Sequence, residues 1–225
     1  NVDGVLVLAT GSTITLNGDV FYNTGTITAE DNSLVELFGD DVDMSLLNTP
    51  SLYDVTVGPT NAVTADEPFG IRGTLYVESG DFETTSTVIM LSDSNGTGRL
   101  GPVDGTFTGD ITMQRYIPAG ITNWRLLGSP VDGATVNDWK DDFFTAGFPG
   151  SHFPNFYVPL NSTNFWPSIR WYDETVNNAS PDTGLVGATS NTQLLAQGQG
   201  FAAWCGDNLN TTTDFVIDVT GAPHI

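Results

Sequence analysis

An all-β chain is the fold class this sequence predicts: a right-handed parallel β-solenoid (β-helix) half followed by an aromatic-rich β-sandwich-like half. Short apolar-polar runs recur through residues 1–115 between Gly, Asn, Asp and Thr turns, the pattern of half-buried strands. The strongest of them begin at Leu34, Leu52, Ile71 and Val88, spaced by 18, 19 and 17 residues, about the length of a solenoid circuit holding two or three short strands. From Tyr116 onward the chain carries 16 of its 24 aromatic residues, with all five tryptophans among them. Thr, Val, Gly, Asn and Asp dominate the composition and strong helix formers are few, which favours strands joined by tight turns.

The expected strands follow in chain order, each bounded by turn residues. Val5–Leu8 ends at Ala9-Thr10-Gly11, Thr13–Leu16 at Asn17-Gly18 and Asp19–Tyr22 at Asn23; Thr26–Thr28 opens after Gly25. Leu34–Leu37 lies between Asn32-Ser33 and Gly39, Leu52–Val57 runs up to Gly58-Pro59, and Ala62–Ala65 sits between Asn61 and Asp66. Ile71–Val77 follows Gly70, Phe82–Thr84 follows Gly80-Asp81, and Val88–Leu91 precedes Ser92-Asp93. Asn137–Ala146 offers a helical turn or two, with an Asn or Asp as N-cap. Trp124–Leu127, Ile169–Tyr172, Gly200–Trp204 and Phe215–Val219 read as strands among long Asn, Ser, Pro and Gly-rich loops, a sandwich-like pattern. Two domains result, 1–112 and 113–225. An antiparallel sandwich in the first half is the rival reading, since it too shows turns every 8 to 12 residues or so.

Twenty-seven acidic against six basic residues give a formal charge of −21 and a pI near 4.1. Such a field repels nucleic acid and anionic membranes, and no stretch approaches the roughly 20 apolar residues of a membrane span. Neither nucleic-acid binding nor membrane insertion is expected. The charge suits a salty extracellular medium, or divalent cations bound by hard carboxylate oxygens; a merely solvated acidic surface is the plain alternative. A single cysteine, Cys205, excludes an intrachain disulfide framework. Asn1 begins in mid-pattern, so a mature product or an excised piece of something larger is expected.

The β-repeat region is followed by Gly109 to Pro118, GDITMQRYIP, and then by Trp124 to Val131, WRLLGSPV. This order resembles large multidomain secreted and cell-surface proteins of Bacteroidota exported by the type IX secretion system. Gln197-Gly198-Gln199-Gly200-Phe201 is similar to the GKGF stretch such proteins carry after a loop-rich insert, with Gln199 where they are usually more basic. The resemblance covers roughly residues 80 to 205. It implies a long exported protein at the cell surface, working in adhesion, gliding motility or polymer contact, with the type IX machinery as its partner during export. It carries no catalytic residues to matching positions, and the C-terminal sorting domain of such proteins is not visible in this chain.

Three groups of residues are candidates for a role. Arg115 beside Tyr116 and Arg125 beside Trp124 place two of six basic residues in the junction, where they are expected to form ion pairs and stack on aromatics; clasping a carboxylated glycan is the sharper alternative. Trp166, Arg170, Trp171 and Tyr172, with the Phe153–Tyr157 stretch, are candidate sugar-stacking residues, although aromatics in such folds more often fill the core. Asp40, Asp41 and Asp43, and Asp93 with Asn95, read as acidic turns that would hold a structural Ca2+, solvated turns being the alternative.

The expected function is a non-catalytic structural or adhesive fragment of an exported, secreted or cell-surface protein, a type IX secretion cargo whose partners are surface glycans or other surface proteins. A glycan-binding module is the first alternative. A β-helix polysaccharide lyase or hydrolase is the second, opposed by its field: before the junction only Arg72 and Arg99 are available, against 17 acids through residue 115. His152 and His224 stand alone and no Gly-x-Ser-x-Gly elbow occurs, so no enzyme activity is expected.

Overall fold

The structure, a computed structural model, describes residues 3–18, 20–39, 41–46, 51–58, 62–84, 88–157, 165–176, 184–196, 198–208 and 210–225, with the backbone alone at 20–23, 41, 43, 45 and 46. Asn1, Asp19, Asp40, Pro59, Asn61 and Gln197, which entered the sequence reading, lie outside the described residues. The chain forms two compact units, residues 1–115 with 220–223 and 225, and residues 116–219 with 224.

The first unit runs in circuits of three short strands. β1 (Val5–Leu8), β2 (Thr13–Leu16) and β3 (Val20–Asn23) are followed by β4 (Thr26–Ala29), β5 (Leu34–Leu37) and β6 (Asp41–Leu46). Next come β7 (Ser51–Leu52), β8 (Asp54–Val57) and β9 (Ala62–Ala65), then β10 (Phe69–Ile71), β11 (Thr74–Val77) and β12 (Asp81–Thr84). β13 (Val88–Met90), β14 (Arg99–Val103) and β15 (Thr106–Thr108) lead into β16 (Ile111–Ile117). Every third strand stacks in parallel: β2-β5-β8-β11-β14 on one face, β3-β6-β9-β12-β15 on the next, and β1-β4 with β7-β10-β13-β16 on the third. This is the parallel β-solenoid the strand pattern predicts.

The inward stripe makes the core. Val35 and Leu37 lie under Val55 and Val57, which lie under Leu75 and Val77, all at most 1% exposed. On the other faces Val63 meets Phe82 and Leu52 meets Ile71, all fully buried. Each such side chain contributes about 1.5–3 kcal/mol on burial. Outward positions carry Thr and acids, and some acids bridge circuits: Thr15 Oγ1 donates to Glu36 (2.6 Å) and Thr10 Oγ1 to Glu30 (3.0 Å). At the corners glycines stack closely; a Cβ on Gly25 would sit 2.0 Å from the Gly4 carbonyl oxygen.

The circuit differs in detail from the expected spacing. Leu52 and Ile71 are directly paired, but Leu34 stacks on Asp54 and Val88 on Phe69. Paired residues are 19 apart at Ser51 and Gly70 and 25 apart at Leu75 and Leu100. Two expected strands are pairs: Leu52–Val57 breaks at Tyr53 into β7 and β8, and Ile71–Val77 breaks at Arg72-Gly73 into β10 and β11. β6, β14, β15 and β16 were not expected. In β14 the register shifts between Leu100 and Val103, around Gly101-Pro102, the kind of bulge that admits proline to a strand.

Residues 220–223 also belong to the first unit, where the Thr220 and Thr112 hydroxyls are 2.7 Å apart. The sequence of the second unit is thus inserted between two segments of the first.

The second unit contains β17 (Gly120–Ile121), β18 (Asn123–Gly128), β19 (Ile169–Tyr172), β20 (Leu185–Gly187), β21 (Gly200–Cys205), β22 (Thr211–Thr212) and most of β23 (Phe215–Gly221). β18-β21-β19-β20 form an antiparallel sheet and β17-β22 a small ribbon. Against this sheet Trp139 stands edge-on to Phe201 of β21, ring centroids 5.4 Å apart. The expected helix at Asn137–Ala146 is one 3-10 turn, Val136–Trp139, held by Asp138, whose carboxylate accepts from the Thr135 N–H (2.7 Å) and hydroxyl (2.9 Å). Among the described residues no helix is long and apolar enough to cross a membrane.

Candidate functional site

The site is built on one face of the four-stranded sheet in the second unit. Trp124 of β18 is directly opposite Trp204 of β21, so their rings share a face. Arg170 of β19 pairs with Ala202, two residues from Trp204, and therefore projects on that same face. Pro167 packs over Gly187, where a Cβ would lie 2.3 Å from Pro167 Cγ. That close fit, possible only over glycine, brings neighbouring Trp166 onto the face as well.

The three tryptophans form a triangle. Trp166 is 5.3 Å from Trp124 and 5.7 Å from Trp204, and Trp124 and Trp204 meet edge-on at 5.6 Å, all within the range of favourable ring pairs. The Arg170 guanidinium sits 5.1 Å from the Trp124 centroid and 5.3 Å from that of Trp166, and its Nε donates to the Pro167 carbonyl at 2.9 Å. Burial pulls the Arg170 pKa below its ordinary value, yet a guanidinium keeps its charge at any physiological pH.

Beside the triangle opens a cavity of about 410 Å3 whose aromatic walls are Phe144, Phe153, Phe156, Trp166 and Trp204. Phe156 stands edge-on to Trp166 at 5.7 Å, and Phe144 is 5.8 Å from Phe153. Phe144, Phe153 and Phe156 are 43%, 48% and 38% exposed, a cluster of wet rings of the kind that marks a binding surface. His152 lies edge-on to Phe144 at 5.5 Å, and its Nδ1 accepts from the Thr145 N–H at 3.2 Å. Burial first, then Lys140, lowers the His152 pKa.

Of the residues singled out from sequence, Trp166 and Arg170 come together here. Trp171 alternates to the opposite face of β19, where it pairs with Val186, and Tyr172 returns to the Arg170 face at the exposed end of the strand, 63% exposed. Trp204, Phe144 and the triangle role of Trp124 were missed. The missed signal was the apolar run at Gly200–Cys205, whose register with Trp124 sequence alone does not reveal.

The junction arginines do not take the expected partners. Arg115 is exposed, Arg125 is half-buried with its Nε unpartnered, and neither forms an ion pair among the described residues. Alternation along β18 turns Arg125 away from Trp124, and Arg170 occupies that ring instead. Tyr116 hydrogen-bonds through its hydroxyl to Asp214 (3.5 Å).

The acidic candidates are also placed differently. Asp40 lies outside the described residues. Asp41 and Asp43 stand in β6, paired with Ala62 and Thr64, so their backbone belongs to a ladder and not to a chelating turn. Asp93 is in a turn, where its Oδ1 accepts from the Asn95 N–H (2.7 Å) and Gly96 N–H (3.1 Å). The Asn95 N–H, with smaller help from Gly96, the Asn95 amide and Arg72, holds that carboxyl below its ordinary value. Among the described residues no three His, Cys, Asp or Glu side chains gather as a metal site requires. Cys205 is fully buried and its thiol is pushed up to about 12 by burial, which leaves it unreactive.

Comparison with known protein families, curated proteins and solved structures finds no match to this chain.

Proposed function

We propose that this chain is a non-catalytic, adhesive piece of an exported cell-surface protein, a solenoid carrying a unit whose aromatic face makes the adhesive contact. The observation that carries the reading is the cavity walled by Phe144, Phe153, Phe156, Trp166 and Trp204, with three of its rings open to water. Exposed rings gathered around a concavity are suited to holding a partner and supply no acid, base or nucleophile to transform it. The solenoid fits the same role, since stacked circuits give a stable support from short repeats. Export by the type IX system and a surface location rest on the resemblance of the GDITMQRYIP and WRLLGSPV segments.

Beads coated with the protein should hold to surfaces coated with bacterial envelope glycans or surface proteins more strongly than beads coated with Trp166→Ala. Trp171→Ala, altered on the other face of β19, should hold like the parent. Equal retention of all three, at matched circular dichroism and Tm, would remove the reading.

A further inference from the structure

Resting on that adhesive reading, we propose that the aromatic cavity is a binding site for an uncharged planar aromatic ring, and not for a sugar. Its shape gives the first reason. Small residues, Ala146 and Gly206, leave the space that Phe144, Phe153, Phe156, Trp166 and Trp204 surround, and about 410 Å3 falls within the range of small-ligand pockets. A flat ring entering there gains edge-to-face and offset contacts on several sides at once.

Polarity gives the second. Among the described residues two hydroxyls lie in the wall, and both already bond to backbone: Thr122 Oγ1 donates to the Asn208 carbonyl at 2.5 Å, and Ser168 Oγ accepts from the Ala146 N–H at 2.9 Å. Thr122 is 3% exposed and Ser168 fully buried. A sugar pushed into this space would strip water from hydroxyls and offer them few partners, an unfavourable exchange. An aromatic ring brings few or no such groups. Asn208, exposed at the mouth, remains for one polar substituent on the ring.

Charge gives the third. A chain of formal charge −21 disfavours an anion. A cation fares no better, because among the described residues no carboxylate lines the cavity, and the Arg170 guanidinium already faces the Trp166 ring at 5.3 Å. Neutral ligands are what remain. The ring could belong to a free small molecule or to a Trp, Tyr or Phe side chain of a partner protein, and the probes below separate the two.

Isothermal titration calorimetry of the intact chain would use indole, N-acetyl-tryptophanamide and methyl β-glucoside. Indole should bind saturably with a Kd of about 1 mM or tighter. Phe153→Ala, which truncates a half-exposed ring, should weaken it about tenfold, and Trp171→Ala should leave it unchanged. Binding of N-acetyl-tryptophanamide as well supports a protein side chain as the natural occupant; binding of indole alone supports a free small molecule. The proposal is overturned by glucoside binding in place of indole, by no saturable heat from either aromatic probe, or by indole binding that ignores Phe153→Ala. None of these outcomes touches the bead assay. Adhesion that depends on Trp166 while the cavity refuses indole would retain the adhesive contact and reject the ring.

Discussion

At the scale of the residue, Arg72 does the most for the solenoid. It lies at the corner between β10 and β11, and its Nη1 meets Asp31 at 3.0 Å, its Nε donates to Ser51 Oγ at 3.1 Å, and its Nη2 donates to the Ala29 carbonyl. Its guanidinium also lies 5.7 Å from the Tyr53 ring. One planar fork thus pins three successive circuits, a geometry an ammonium cannot copy. Arg72→Lys should cost about 2 kcal/mol in urea denaturation, and an unchanged midpoint would show the pin to be ornamental. Asp142 works the other way. Burial raises its carboxyl from 3.8 to about 7, against the Asp218 N–H that its Oδ2 accepts at 2.9 Å. The folded chain then holds a proton the unfolded chain has lost, so this group's contribution to stability falls as pH climbs from about 4 to about 7 and is level above. Asp142→Asn keeps an acceptor for that N–H and removes the titration. It should match the parent near pH 4 and exceed it at pH 8 by about 1 kcal/mol, a figure kept small because the group is only half-buried; equal stability at pH 8 would remove the effect.

Elements show what was legible in advance and what was not. β2, β5 and β9 were readable because each alternates inside and outside residues between clear turn signals. β6 was not, because Asp41 and Asp43 look like turn residues when taken singly, while the buried Val42 and Met44 that alternate with them make the strand. β14 hid behind Gly101-Pro102, and the single-turn corners at Tyr53 and Arg72-Gly73 left pairs of strands reading as one. Pairing between circuits is long-range information, so local pattern showed the solenoid but misaligned Leu34 with Leu52. The site was half-legible for the same reason: Trp166 and Arg170 are neighbours in sequence, but Trp204 reaches them only through antiparallel register. The buried stripe predicts a sharp contrast. Leu75→Ala, at a fully buried site with Val55 beneath it, should lose about 3 kcal/mol, whereas Thr106→Ala on the exposed side of β15 should stay within about 0.5 kcal/mol. Denaturation curves with similar losses would contradict the inward stripe. Loops carry constraints too. Gly147 has φ of +81°, and a Cβ there would lie 2.2 Å from the Trp166 carbonyl oxygen; Gly147→Ala should cost at least about 2 kcal/mol and loosen the Trp166 wall, read as a red shift in tryptophan emission.

For the whole molecule, a formal charge of −21 on 225 residues means self-repulsion that salt relieves. Raising NaCl from about 0.01 M to about 0.5 M should lift Tm by several degrees, and a fall would show that the few cations matter more than the many anions. The insertion of the second unit into the first has a mechanical consequence. The last residues are held twice: Thr220 meets Thr112 within the first unit, and the His224 N–H donates to the Pro130 carbonyl at 3.1 Å within the second. Tension applied to the end of the chain loads both holds at once, and an optical trap gripping both ends should record their release as a first short extension before either unit unfolds.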